Sequence, residues 1–258
     1  MARTTFRLPV DRFDALIGLD VIASFLDLTV EAVDGLTEVT VELTGPADVV
    51  EGATAVEGQT WIITVPAPAS GSGATFANGN VVNRNFGGSV IQAGNVYGAV
   101  IFNGSVSMGG GTMMGGQQFG HEPVRAVARV PSSSVLSAPI TAGSVVTRGR
   151  MSSVKITGQS VDTHVEHADR VETNTSSGDT TIGRVESSVV VHTISGDIDV
   201  RSSGSMAMLR TTSGDIDFTA GKDGRVTAST TSGDVTVVRS GYRVSSRTSS
   251  VSGDIREW

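Results

Sequence analysis

Arg210-Thr211-Thr212-Ser213-Gly214-Asp215-Ile216-Asp217-Phe218-Thr219 contains a Ser-Gly-Asp tripeptide between two alternating runs. On both sides of the Ser-Gly-Asp tripeptide, apolar or β-branched residues alternate with polar ones, the period of a half-buried strand. Glycine supplies a positive φ, and aspartate bonds to nearby backbone amides, so the tripeptide reads as a tight turn between two short strands. The same tripeptide recurs at Ser177-Gly178-Asp179, Ser195-Gly196-Asp197, Ser232-Gly233-Asp234 and Ser252-Gly253-Asp254. Its aspartates, Asp179, Asp197, Asp215, Asp234 and Asp254, lie 18, 18, 19 and 20 residues apart. Self-similarity at that period means stacked units, none of which can bury an apolar face alone. The fold class expected is all-β: a β-solenoid or β-roll of 18–20-residue repeats.

Outward from this stretch, a second turn closes each unit, at Ser202-Ser203-Gly204, at Gly221-Lys222-Asp223-Gly224 and at Ser240-Gly241. Weaker units around Ile156-Thr157-Gly158-Gln159 and Ile140-Thr141-Ala142-Gly143-Ser144 carry the solenoid back to about Val124. No proline follows Pro139, which suits an unbroken hydrogen-bonded ladder. A column of five aspartates at rung spacing would repel unless each carboxylate is hydrogen-bonded. The expected arrangement has each one accepting backbone N–H bonds in its turn and facing water. A calcium column, as in other Gly/Asp-rich repeats, is the alternative weighed.

The five turns, with Thr or Ser just before them and Ile or Val after most, resemble those of the putative-adhesin β-repeat family. The resemblance spans roughly residues 124–258. It implies a β-solenoid or β-roll and no established activity.

Charge divides the chain into three. Residues 1–70 hold 11 acidic residues and 3 arginines, residues 71–120 a single charge at Arg84, and residues 121–258 15 acidic and 15 basic residues. The first segment reads as an acidic β-rich cap or small β-domain, with strands at Val39–Leu43 and Trp61–Val65. Ala15 to Val33 is too densely apolar for one amphipathic face and is read as part core, part short helix. Such a cap would hide a terminal edge of the solenoid. The last segment, 121–258, is the repeat solenoid.

The middle segment, 71–120, is Gly/Asn-rich and uncharged but for Arg84. Between Asn80 and Val106 it alternates apolar residues with Gly, Asn and Gln, a pattern able to form in-register cross-β stacks. Ser107 to Gly120 reads as a linker or loop. Around Val90-Ile91-Gln92-Ala93-Gly94-Asn95-Val96-Tyr97-Gly98-Ala99-Val100 the chain resembles bacterial amyloid signalling motifs. The matching residues are Ile91, Gln92, Gly94 and Asn95, with Gly88 and Gly98 flanking. Unlike most members of that family, this chain carries the stretch internally. The residues expected to mediate self-association are Val90, Ile91, Gln92, Gly94, Asn95, Val96, Tyr97 and Val100.

Little in the sequence points to catalysis. There is no cysteine, hence no disulfide framework. No Gly-x-Ser-x-Gly elbow or phosphate-binding glycine loop occurs. His164-Val165-Glu166-His167 has metal-ligand residue types, but on a strand His164 and Glu166 share one face while His167 points away. No catalytic, cofactor or metal residue is therefore assigned, and no cofactor is expected. Two Trp and two Tyr are few for a sugar-stacking cleft. No basic stripe with interleaved aromatics suggests nucleic acid. No apolar run is long enough to span a bilayer as a helix, and Asp11, Arg12 and Asp14 break any signal-like run. These features lead to an expectation of a cytoplasmic protein, with a virion or cell surface reached by another route.

The function expected is a non-enzymatic structural or interaction protein. It would be a self-associating solenoid, a homo-oligomer with an adhesin-like or scaffold role in a cell envelope or phage particle, and its partner a protein or surface glycan. The alternatives are an amyloid-motif signalling or filament-forming scaffold nucleated by residues 80–106, and a carbohydrate-active solenoid enzyme.

Overall fold

A computed structural model describes residues 1–14, 16–67 and 123–258, together with four short strands between the last two of these stretches. The chain forms two compact units, Met1–Ala67 with Glu122–Trp258, and Pro68–His121.

In the first unit the chain begins with β1 (Ala2–Pro9), α1 (Val10–Asp14), β2 (Leu19–Val33), β3 (Glu38–Gly45), α2 (Ala47–Glu51), β4 (Thr54–Glu57) and β5 (Trp61–Val65). The second unit contributes β6 (Thr75–Ala77), β7 (Asn80–Val82), β8 (Ala99–Phe102) and β9 (Ser105–Met108). The first unit then resumes with β10 (Arg125–Pro131), β11 (Val135–Thr157), β12 (Ser160–Asn174), β13 (Thr180–His192) and β14 (Ile198–Ser203). It ends with β15 (Met206–Arg210), β16 (Ile216–Ala220), β17 (Gly224–Ser232), β18 (Val235–Val238), β19 (Val244–Ser252) and β20 (Ile255–Glu257).

From β11 onward every pairing is parallel, each coil lying on the one before it. This is the β-solenoid that the repeat period calls for. Each coil has a short wall, such as Ile198–Val200, and a long wall, such as Met206–Arg210, whose inward residues meet in one thin core. One short-wall column runs Val30, Thr147, Val165, Ile182, Val200, Phe218 and Val237 from coil to coil. All of these are buried. Each fully buried Val, Leu, Ile or Phe side chain contributes about 1.5–3 kcal/mol relative to its exposed state.

Parallel stacking begins earlier than Val124. β2 pairs in parallel with β11, from Leu19↔Leu136 to Glu31↔Arg148. Its apolar density comes from turning a corner rather than from a helix. Leu19, Val21 and Ala23 point inward in the first half, the parity switches at Ser24-Phe25, and Leu26, Leu28 and Val30 point inward in the second. The short helix lies just upstream, at α1. β3 pairs antiparallel with β1 and β10, and β4 pairs antiparallel with β5.

In the second unit, β6–β7 and β8–β9 are antiparallel hairpins, with Ile101 opposite Val106. Of the residues expected to mediate self-association, Val100 lies on β8. Val90, Ile91, Gln92, Gly94, Asn95, Val96 and Tyr97 lie outside the described residues.

Candidate functional site

The Ser-Gly-Asp turns stack into one edge of the solenoid. Their serines pair coil to coil, Ser160↔Ser177↔Ser195↔Ser213↔Ser232, and the column continues as Ser232↔Ser252. The glycine amide donates to the serine carbonyl one coil on, at 3.0 Å from Gly196 to Ser213 and from Gly214 to Ser232. Here the ladder would run out of backbone acceptors, and an unpaired amide is costly. The aspartate supplies what is missing. Asp197 N donates to Asp179 Oδ1 at 2.9 Å, Asp215 N to Asp197 Oδ1 at 2.8 Å, Asp234 N to Asp215 Oδ1 at 2.8 Å, and Asp254 N to Asp234 Oδ1 at 2.8 Å. The amide that each carboxylate accepts therefore belongs to the next coil, not to its own turn.

Asp162 extends the column upstream by accepting from Asp179 N at 3.1 Å. Ser144 and Asp27 occupy the same register further back, joined by Ser144 Oγ donating to Asp27 Oδ1 at 2.9 Å. The sequence pattern hides these members, because neither Asp162 nor Asp27 follows a Ser-Gly pair.

Glycine is required at this edge for two reasons. Gly196, Gly214 and Gly233 have φ of 142°, 142° and 141°. A Cβ at Gly214 would also stand 2.2 Å from Gly196 O, closer than any tolerated contact. Two residues before the Ser-Gly-Asp turns sit the buried Thr175, Thr193, Thr211 and Thr230 and the half-buried Ser250, behind the turn. Thr211 Oγ1 donates to the carbonyls of Gly196 or Ser213, and Thr230 Oγ1 to those of Gly214 or Ser232. Ser250 Oγ donates to Gly233 O at 2.9 Å. In the sequence this column shows only as a repeated Thr, with no pattern that marks it as functional.

His164 lies on the outer side of the short wall. His167 lies at the opposite corner, 3.2 Å from Glu186 Oε1. The hydrogen bond from Arg184 foremost, then its charge and contact with His167, hold the Glu186 carboxyl below its ordinary value against a smaller opposing effect of burial. Among the described residues no group of three His, Asp or Glu is placed to hold a metal ion. Two surface recesses have volumes of about 270 Å³ and 200 Å³. The first is lined by Ser152, Ser153, Asp169, Arg170 and Ser187, and both fall below the size of typical small-molecule sites. What the coils offer instead is two flat walls of evenly spaced short side chains.

A family model described as Toastrack DUF4097 matches residues 106–258, more than half of the chain. The chain belongs to this family. Its parallel coils are thus Toastrack coils, and the match runs from the end of β9 through β20. Among solved structures, a putative adhesin from Bacteroides fragilis NCTC 9343 is similar over 100% of this chain and 97% of its own, at 13% identity and a TM-score of 0.55. A putative adhesin from Parabacteroides distasonis ATCC 8503 is similar over the same shares, at 10% identity and a TM-score of 0.50. At these identities the likeness establishes the Toastrack fold. No curated protein matches the chain in sequence.

Proposed function

We propose that this chain is a non-enzymatic contact protein, a rigid β-solenoid that self-associates and serves as an adhesin-like or scaffold component. The observation that carries the reading is the pair of flat coil walls. Between β13 and β19 their outward positions are mainly Ser, Thr, Asp, Arg and Met, repeated at rung spacing, beside recesses too shallow for a buried substrate. Broad walls of this kind suit area contact, where affinity comes from many small terms, and suit a catalytic cleft poorly. The two solved structures named above are called putative adhesins, which supports the same direction.

Velocity sedimentation of the full-length chain over a wide concentration range tests the reading, together with incubation on a panel of polysaccharides. The expected result is species heavier than the 26.5 kDa monomer that grow with concentration, and no cleavage. A monomer at every concentration would remove self-association. Polysaccharide cleavage lost on replacing Asp169 would restore the enzyme reading.

A further inference from the structure

Over the C-terminal coils the two walls of the solenoid carry opposite charge. On the long wall, Arg210, Arg225 and Arg247 point outward on three successive coils, with His192 one coil earlier. The outward residues of that wall from Ser188 to Ser249 include no Asp or Glu. The three arginines are exposed and make no ion pair with any described residue. Met206 and Met208 stand beside them, 50% and 53% exposed. On the short wall of the same coils, Asp197, Asp215 and Asp234 form one outward row, and Asp199 and Asp217 lie in the next. Two cations of that wall are already paired, Arg201 with Asp199 at 3.0 Å and Arg256 with Asp254 at 3.0 Å and Asp234 at 3.7 Å.

We propose that the arginine-bearing long wall of one copy docks on the aspartate-bearing short wall of a second copy. The proposal rests on the self-association reading and names its surfaces. The aspartates repeat coil to coil at about 4.8 Å, whereas the arginines step across the long wall, Arg210 level with Ser229, Arg225 with Met206 and Arg247 with Thr227, so the two surfaces match in the sign of their charge over the breadth of the wall. Oδ1 of Asp197 and Asp215 is taken by the amide of the next coil, which leaves their Oδ2 to receive a guanidinium in a charge-assisted bond, while Asp234 Oδ2 already lies 3.7 Å from Arg256. Met206 and Met208 add adaptable apolar area against the Thr219 and Thr236 methyls. Because the two patches differ, the contact is heterologous. Each docked copy presents a further free wall, and growth is lateral and open-ended. Charges this exposed are screened by salt, so assembly weakens as ionic strength rises.

The test is velocity sedimentation of the full-length chain and two variants whose changes lie outside the carboxylate ladder. One carries Arg210→Glu, Arg225→Glu and Arg247→Glu, and the other Asp199→Arg and Asp217→Arg. Each variant alone should associate at least about tenfold more weakly than the unaltered chain. An equimolar mixture of the two should regain assembly, which also shows that both are folded. If the unaltered chain assembles and both variants assemble equally well, these surfaces are wrong while self-association stands. If the unaltered chain stays monomeric at low salt, both readings fall. If the arginines instead prove necessary only for flotation with phosphatidylglycerol vesicles, the wall faces an anionic lipid surface and the proposal is overturned.

Discussion

The two edges of the solenoid obey different rules. At the Ser-Gly-Asp edge the count never varies: the first long-wall position precedes the next aspartate by nine residues in every repeat, as Ser188 to Asp197, Met206 to Asp215, Arg225 to Asp234 and Ser245 to Asp254. At the opposite edge it drifts. Asp197 to Met206 is 9 residues, Asp215 to Arg225 is 10, and Asp234 to Ser245 is 11. The register shifts between coils also fall there, between Thr147 and Arg150, Ala168 and Arg170, and Val200 and Ser203. All of the variation from 18 to 20 residues is absorbed at one corner. The other is fixed by the carboxylate ladder, by close glycine contacts and by the buried Thr column.

A one-residue insertion in each half of a repeat should therefore give opposite results. Between Thr212 and Ser213 it puts the turn out of step with its neighbours and breaks the ladder on both sides. This should be the largest effect, seen as loss of a cooperative thermal transition for the C-terminal coils. Between Lys222 and Asp223 it only lengthens a loop, at a cost of well under about 1 kcal/mol.

Glycine sharpens the contrast. Gly214→Ala must strain a backbone at φ 142° and push against Gly196 O, at a cost of about 3 kcal/mol or more in urea denaturation. Gly241→Ala also has a positive φ, 84°, but a Cβ there meets nothing within 4 Å. Strain alone remains, about 1 kcal/mol.

Asp215→Ala removes the acceptor for the Asp234 amide and should cost about 1–2 kcal/mol in the same assay. Asp215→Asn keeps an acceptor oxygen and should recover most of that loss.

The smallest effect concerns pH at the C-terminal coil. There the Ser246 hydroxyl foremost, then the Thr248 hydroxyl and the Arg239 guanidinium, hold the Glu257 carboxyl below its ordinary value against the opposing effect of burial. A carboxylate with a lowered folded-state pKa contributes stability above its ordinary value and loses it as pH falls through the lowered one. Thermal stability should drop on acidification through the carboxylate range, with less of a drop in Glu257→Gln.

The difference between the edges also explains what could be read from sequence. Ser-Gly-Asp is visible because the geometry leaves no other residues at Gly196, Gly214 and Gly233. The opposite corner also has close glycine contacts, a Cβ at Gly204 or Gly224 standing 2.5 or 2.3 Å from a carbonyl of the coil before, but its loop varies in length and leaves a weaker trace. The coil formed with β2 was hidden for a related reason. Leu26 takes the position of Gly143 and begins the close contact from the far side, where no neighbour demands a glycine. Its change of inward parity at Phe25 then mimics a mixed helical pattern. The charge of the walls was hidden by averaging. Residues 121–258 balance overall, and only the assignment of Arg210 and Asp217 to opposite walls separates the signs.

Native-state hydrogen exchange of the full-length chain reads each amide of the carboxylate ladder. The amides of Asp197, Asp215 and Asp234 should exchange as slowly as those of the buried strand residues Val200 and Phe218, and far more slowly than those of Lys222 and Asp223. Exchange at the three aspartate amides as fast as at that corner would contradict this, since the carboxylates would then not be holding the coils together.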